Sequence, residues 1–381
     1  MIVSVPKESQ ANESRVALTP DIVKRLVKQA VEVRVEHDAG MGASHTDADY
    51  EAAGAKVVAD ADSVWREADI ALHVQQPRTE GRNEVALLRE GAVVVGMLYP
   101  LTNLGLVKEL AARKITSFSL DQLPRITRAQ TMDVLSSMST IAGYRAVLLA
   151  AAHHGKFFPM LITAAGTIAP SKTLILGAGV AGLQAIATAR RLGAVVEAFD
   201  VRPAVREQVE SLGAKFVSPE AGALEAEGEG GYAKELSADQ HKRELEFIHE
   251  RLRTADVVIT TALIPGKPAP ELITEAMLKD MRRGSVIVDL AAEAGGNCRL
   301  TQVGETVVRH GVNLMGPINL PGGMPVHASQ MYAKNMHAFL GLLIDKEGNL
   351  NLDFEDEIVK GTCVTHEGRV VHEATQKAME G

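Results

Sequence analysis

Along the first 120 residues, short runs in which apolar residues alternate with charged ones give way repeatedly to stretches with helical spacing. Val31–Glu36 alternates residue by residue and predicts a half-buried strand. Asp69–Val74, Ala92–Leu98 and Ile115–Phe118 are apolar runs of strand length. Between them Asp21–Ala30, Thr46–Gly54, Arg82–Arg89 and Thr102–Arg113 fit helices. The first of these is introduced by Thr19-Pro20, a capping residue followed by proline at the first helical position. Strands that alternate with helices imply a parallel sheet covered on both faces.

The pattern then changes. Asp121–Asp133 is polar, rich in Arg, Gln and Thr, and from Met132 to His153 the spacing is helical and largely apolar. Strand signals resume at Lys172–Leu176, Val195–Phe199, Asp256–Thr260 and Ser285–Asp289, with one or two more within Thr306–Met315. Ser218–Leu236 shifts to Gly, Glu and Ala without an apolar face, and reads as a mobile surface loop or a plain flexible connection. His327–Ile344 is a second long helical pattern. A hairpin of Gly361–Thr365 and Arg369–Val371 follows. At roughly 100–200 residues per domain, 381 residues suggest two domains. A long helix after the second set of strands suggests that the chain returns to the first. The expected fold is therefore α/β, two Rossmann-like domains with mainly parallel sheets and a ligand in the cleft between them. Residues 1–135 with 326–381 form one domain, and 136–325 the inserted one.

Composition changes this picture little. Net charge is -8, and no basic patch marks a nucleic-acid binder. Cys298 and Cys363, far apart in sequence, form neither a disulfide framework nor a zinc site. No metal site is expected. Met1–Glu8 reads as a first strand, not a signal peptide. No apolar run is expected to reach the roughly 18–20 residues of a membrane span.

The strongest chemical signal is Leu176-Gly177-Ala178-Gly179-Val180-Ala181-Gly182, a strand running into G-x-G-x-x-G and then an apolar helix. Gly177 allows the tight turn, Gly179 lets a pyrophosphate approach the backbone, and Gly182 lets helix and strand pack closely. The free N–H groups of the helix start then face the phosphates. Asp200 lies 21 residues past Gly179, at the end of the next predicted strand. Its carboxylate can accept hydrogen bonds from adenosine ribose hydroxyls and repel a 2′-phosphate, which favours NAD(H) over NADP(H). Arg202 is a counter-signal, since a nearby arginine can take that phosphate. Thr260–Gly266 and Asp289–Asn297 follow strands and fall at the same sheet edge, as ligand loops or as ordinary turns. In the polar segment, Arg125 and Gln130 offer donors while Asp133 and Ser136 can accept from a carboxamide, a mix that suits a nicotinamide. The same residues also read as a simple helix start.

Pro124–Ser137, Gly177–Gly182 with Asp200-Val201-Arg202, Gly230–Lys234, Thr261–Pro268 and Asp289–Asn297, in that order, resemble the NAD(H)-binding component of proton-translocating NAD(P)+ transhydrogenase. Alanine dehydrogenase is the wider relative, sharing Pro6-Lys7-Glu8 and Arg15. The resemblance implies that Arg125, Gln130, Asp133 and Ser136 act at the nicotinamide, with Ile126, Thr127 and Arg128 also on the cofactor. It implies that Asp200, Val201 and Arg202 hold the adenosine ribose, that Val180, Gly231 and Leu263 lie along the dinucleotide, and that Tyr232 caps a loop closing over it. It further implies a homodimer and an NADP(H)-binding partner domain that exchanges hydride with this chain. A membrane proton-channel domain on other chains would complete the assembly, with this chain peripheral on the cytoplasmic side of the inner membrane.

Two alternatives stand beside this reading. An amino-acid dehydrogenase needs an acid/base group. Alanine dehydrogenases carry a lysine where this chain has His73, a histidine in the turn occupied by Met97-Leu98-Tyr99, and an aspartate near Glu293. His73 could titrate near neutral pH, but reads better as a satisfied histidine at a strand end. A non-enzymatic NAD-sensing subunit would need little at the nicotinamide, against which the Arg125–Gln130–Asp133–Ser136 set argues.

Overall fold

A computed structural model describes residues 1–219, 237–264 and 267–380. The chain divides into two compact units, Met1–Met138 with Pro321–Gly381, and Ser139–Leu320.

The first unit is built on an eight-stranded sheet. Its strands are β1 (Ile2–Val5), β2 (Glu32–Glu36), β3 (Lys56–Val58), β4 (Ile70–Leu72), β5 (Val93–Gly96) and β6 (Thr116–Ser119). β7 (Leu161–Thr163) and β8 (Gly166–Ile168) form a separate hairpin in the second unit. The second unit's seven-stranded sheet contains β9 (Lys172–Leu176), β10 (Val195–Phe199), β11 (Lys215–Val217), β12 (Val257–Thr260), β13 (Val286–Asp289), β14 (Thr306–Arg309) and β15 (Val312–Met315). The returning segment adds β16 (Cys363–His366) and β17 (Arg369–Val370) to the first sheet.

The first sheet runs β3-β2-β1-β4-β5-β6-β16-β17. It is parallel as far as β6 and antiparallel at the returning pair. The second runs β11-β10-β9-β12-β13-β15-β14, parallel except where β14 meets β15. In both sheets the order reverses beside the first strand, between β1 and β4 and between β9 and β12. Open α/β sheets bind ligands at such switch points, outside the carboxyl ends of the strands. The central strands are buried on both faces: Val93–Gly96 and Val257–Thr260 are buried at every position. A sheet with helices on both sides requires this.

The mainly parallel α/β plan expected from the alternation is what the chain adopts. Several elements lie where no strand or helix is expected, among them the short strands β3 and β11, the β7–β8 hairpin and the fifteen-residue Ala238–Leu252 helix. One expectation needs correction. The Val134–His153 helix is long and apolar enough to cross a membrane by length and composition. Its Ala146, Val147 and Ala150 are instead packed in the second unit's core beside Ile175, Ala185 and Ile186. Ser, Thr, Gly and Arg residues break its apolar run, although the helix itself forms where Met132–His153 predicts it. Both cysteines are free and buried, and burial pushes the Cys298 thiol up to about 11 and that of Cys363 up to about 12.

Candidate functional site

β9 delivers the chain into the glycine turn. Gly177 sits at φ +99°, a backbone that favours glycine, and a Cβ there would stand 2.5 Å from the Thr261 hydroxyl. A Cβ at Gly182 would collide with the Gly177 carbonyl, which is why helix and strand can pack so closely only here. Gly179 differs from both. It caps the Val180–Arg191 helix at an ordinary φ of -75°, and a Cβ added to it would meet nothing of the protein. No internal packing demands glycine at that position. Open space in front of the first free N–H groups of a twelve-residue helix suits a pyrophosphate.

Asp200, just past β10, is buried, 7% exposed, and its carboxylate is heavily engaged. One oxygen accepts the Ala178 N–H at 2.7 Å and the Arg202 Nη2 at 2.7 Å. The other accepts the Arg202 backbone N–H at 2.9 Å and its Nε at 2.8 Å. The acid is thereby locked to the glycine turn, and Arg202 is folded onto it. The arginine's charge is spent on this carboxylate in the structure, so as a signal for a 2′-phosphate it is weaker than its position in the sequence suggests. A second carboxyl, Glu244, is buried nearby. Burial raises it above the usual range, His241 opposes the shift and the Asp200 charge adds to it.

The two strand-end stretches are braced from inside. Thr261 donates to the Gly177 carbonyl at 3.0 Å. Asn297, fully buried, accepts from Ala262 N–H at 3.1 Å and donates to the carbonyls of Ala262 and Pro270. Asp289 accepts from the Thr260 and Thr301 hydroxyls and from the N–H groups of Ala291 and Cys298. These polar residues hold loops together. Leu263 and Val180 stay open to solvent, 46% and 42% exposed, as apolar surface beside the turn.

In the first unit the polar segment forms a 3-10 turn, Thr127–Met132, that runs into the Val134 helix. Asp133 starts that helix. It accepts the Ser136 N–H at 2.8 Å, the bond that satisfies an otherwise orphan helix donor, and the Ser136 hydroxyl at 2.6 Å. Asp133 and Ser136 are therefore joined, while Arg125 and Gln130 lie exposed. The helix-start reading and the binding reading are both compatible with this geometry. Arg128 is directed elsewhere, onto Asp356 at 2.6 and 3.0 Å. Ile126 and Val201 are half-buried, and Thr127 is exposed. Gly231, Tyr232 and most of Ser218–Leu236 lie outside the described residues.

His73 is not solvent-facing. It is 1% exposed, stacked on Trp65 with ring centroids 4.5 Å apart, and its Nδ1 lies 3.4 Å from Glu8. Nε2 has no hydrogen-bond partner among the described residues, so the histidine is only half satisfied. Sequence reasoning also passed over the ion pair of Glu13 and Arg15, whose side chains are 0% and 2% exposed and meet at 2.5 Å. Arg15 continues to the Met138 sulfur at 3.1 Å, in the helix that follows the polar segment. Burial pushes Glu13 upward, but the guanidinium overrides it and holds the carboxyl below the usual range.

Residues 4–142 match the family model "Alanine dehydrogenase/PNT, N-terminal domain", and residues 146–373 match "Alanine dehydrogenase/PNT, C-terminal domain". The chain belongs to the alanine dehydrogenase/PNT family. Within it, the chain is 51% identical to an NAD(P) transhydrogenase subunit alpha polypeptide of Rhodospirillum rubrum, over 98% of both chains. To alanine dehydrogenase of Halomonas elongata it is 31% identical, over 99% of this chain and 96% of that one. The solved transhydrogenase structure from Sinorhizobium meliloti superposes with a TM-score of 0.88 at 44% identity, covering 97% of this chain and 100% of that one. The transhydrogenase resemblance read from the motifs therefore holds along the full length. Alanine dehydrogenase stands as the wider relative in this family.

Proposed function

We propose that this chain is the NAD(H)-binding subunit of a proton-translocating transhydrogenase and passes hydride directly between its own nicotinamide and that of NADP(H) on a partner domain. The observation that carries the cofactor reading is Asp200, a buried carboxylate fastened to the glycine turn through Ala178 N–H. In front of that turn, Gly179 leaves room that the protein itself does not use. In this reading the pyrophosphate meets the helix start, Asp200 and its neighbours Val201 and Arg202 take the ribose, and Val180 and Leu263 flank the dinucleotide. Arg125, Gln130, Asp133 and Ser136 orient the carboxamide ring, with Ile126 to Arg128 beside them.

The reaction moves one hydride, an H with two electrons, from NADH to NADP+, leaving NAD+ and NADPH. No proton is taken from or given to the protein, so catalysis here is approach and alignment. Oxidation of an amino acid would release a proton as well and need a base at the substrate. A histidine stacked beneath Trp65 and 1% exposed, with Met97 where a titrating group would be required, suits that chemistry poorly. The chain would act as a homodimer, peripheral to a membrane proton-channel domain on the cytoplasmic side.

The test is a fluorescence titration of the purified chain with NADH and NADPH. The unaltered chain should bind NADH the more tightly. Asp200→Ala should weaken NADH by about 1–3 kcal/mol, the cost of an unpaired polar contact. It should also narrow the difference between the two, because Arg202 loses its carboxylate and can turn to a 2′-phosphate. Equal affinities in the unaltered chain, or unchanged NADH affinity in the variant, would contradict the assignment.

A further inference from the structure

The Pro325–Leu343 helix carries three buried polar residues spaced three apart, Ser329, Tyr332 and Asn335. Buried polar groups need partners, and these three find theirs in different segments of the first unit. Ser329 accepts the Val16 N–H at 3.0 Å, and Tyr332 donates to the His73 carbonyl at 2.6 Å. Asn335, 8% exposed, makes two bonds. Its Nδ2 donates to the Thr131 carbonyl at 2.8 Å, and its Oδ1 accepts the Ser137 hydroxyl at 2.7 Å. The donor and the acceptor of one planar amide are thus divided between two points on the chain. Thr131 immediately follows Gln130, and Ser137 immediately follows Ser136.

We propose that Asn335 is a positioning residue for hydride transfer, a clamp that fixes the 3-10 turn bearing Gln130 against the helix start bearing Asp133 and Ser136. This rests on the transhydrogenase reading above. Asn335 itself acts through the loop and not on the cofactor. The carboxamide-facing residues sit on two short segments of different backbone geometry, with Asp133 joining them. A single side chain that bonds both segments sets their separation and relative rotation. Asp133–Ser136 alone cannot do this, because both its ends belong to the helix side. Hydride transfer depends steeply on placement, whereas binding is shared among many contacts along the dinucleotide.

The experiment measures hydride transfer from NADH to NADP+ carried by the NADP(H)-binding component of a transhydrogenase, at saturating NADH. NADH affinity and the thermal midpoint are measured on the same preparations. The unaltered chain is compared with Asn335→Asp, which keeps the acceptor for Ser137 but turns the donor to Thr131 into a repelling oxygen, and with Ser137→Ala, which removes the other arm. Asn335→Asp should lower the saturated rate at least about tenfold and Ser137→Ala about threefold, with NADH affinity within about threefold in both. A merely structural role would lower the thermal midpoint and leave the folded protein's saturated rate intact. A folded Asn335→Asp with the unaltered rate, or with an affinity loss that matches its rate loss, would overturn the inference. Should Asn335→Asp not fold, an unchanged rate in Ser137→Ala overturns it equally. No transfer by the unaltered chain would overturn the transhydrogenase reading, and this inference with it.

Discussion

The glycine turn after β9 in the second unit and the polar loop before the Val134 helix in the first, each proposed to bind part of a dinucleotide, are built by opposite means. The turn is held by backbone: a left-handed Gly177, a Gly182 too crowded for any side chain, and an open Gly179. Asp200 is bonded to that backbone. The polar loop is held by side chains. Asp133 caps the following helix, Asn335 bridges two segments, and the buried Glu13–Arg15 pair reaches Met138 two residues past Ser136. The first arrangement tolerates no change of residue at a few points. The second spreads its support over several titratable or polar groups.

The largest expected effect tests the side-chain half. Glu13→Ala would leave the Arg15 guanidinium buried without its carboxylate and should destabilise the first unit by about 3–5 kcal/mol, read by denaturant unfolding. The same pair gives that unit a pH dependence. Glu13 titrates below its usual value of 4.5 in the folded chain. Its contribution is therefore complete above that value and is lost as pH falls through the lowered one. The variant should show a flatter acid limb than the unaltered chain. An equally steep limb would mean that other carboxylates govern acid unfolding.

A smaller effect tests the backbone half. Gly182→Ala should cost about 1–3 kcal/mol of stability by overpacking. NADH binding should fall with it, since the helix start must move off the turn. If binding survives intact, the glycine serves packing alone and the two halves differ less than proposed.

This contrast also explains what was legible in the sequence. The glycine turn could be read because backbone sterics act on single residues at fixed spacing, and because parallel strands buried on both faces are near-continuous apolar runs. Asp200 was found for the same reason, at its offset from the turn. Its engagement by Arg202 was not, since residue spacing says nothing about which of two partners a carboxylate will take. The Asn335 bridge and the contact of Arg15 with Met138 depend on segments some 200 and 120 residues apart in sequence being folded together, and no local pattern announces them. Short elements escaped on other grounds. β3 is a three-residue edge strand with Lys56 exposed. The longer Ala238–Leu252 helix packs Ile248 and Leu252, with Leu245 and Phe247 partly buried, against the core, but also buries Glu244, which blurs the apolar stripe. His73 looked like an ordinary strand-end histidine, and only the fold reveals the bare Nε2.

The central claim is that this chain exchanges hydride between nicotinamides and performs no acid/base chemistry on an organic substrate. A paired assay tests it most directly. One sample holds the purified chain with NAD+ and L-alanine or another amino acid. The other holds the chain with NADH and the NADP+-loaded binding component of a transhydrogenase. Turnover confined to the second sample is the predicted result. NADH formation in the first would contradict the account and direct attention to His73 or another group as the missing base.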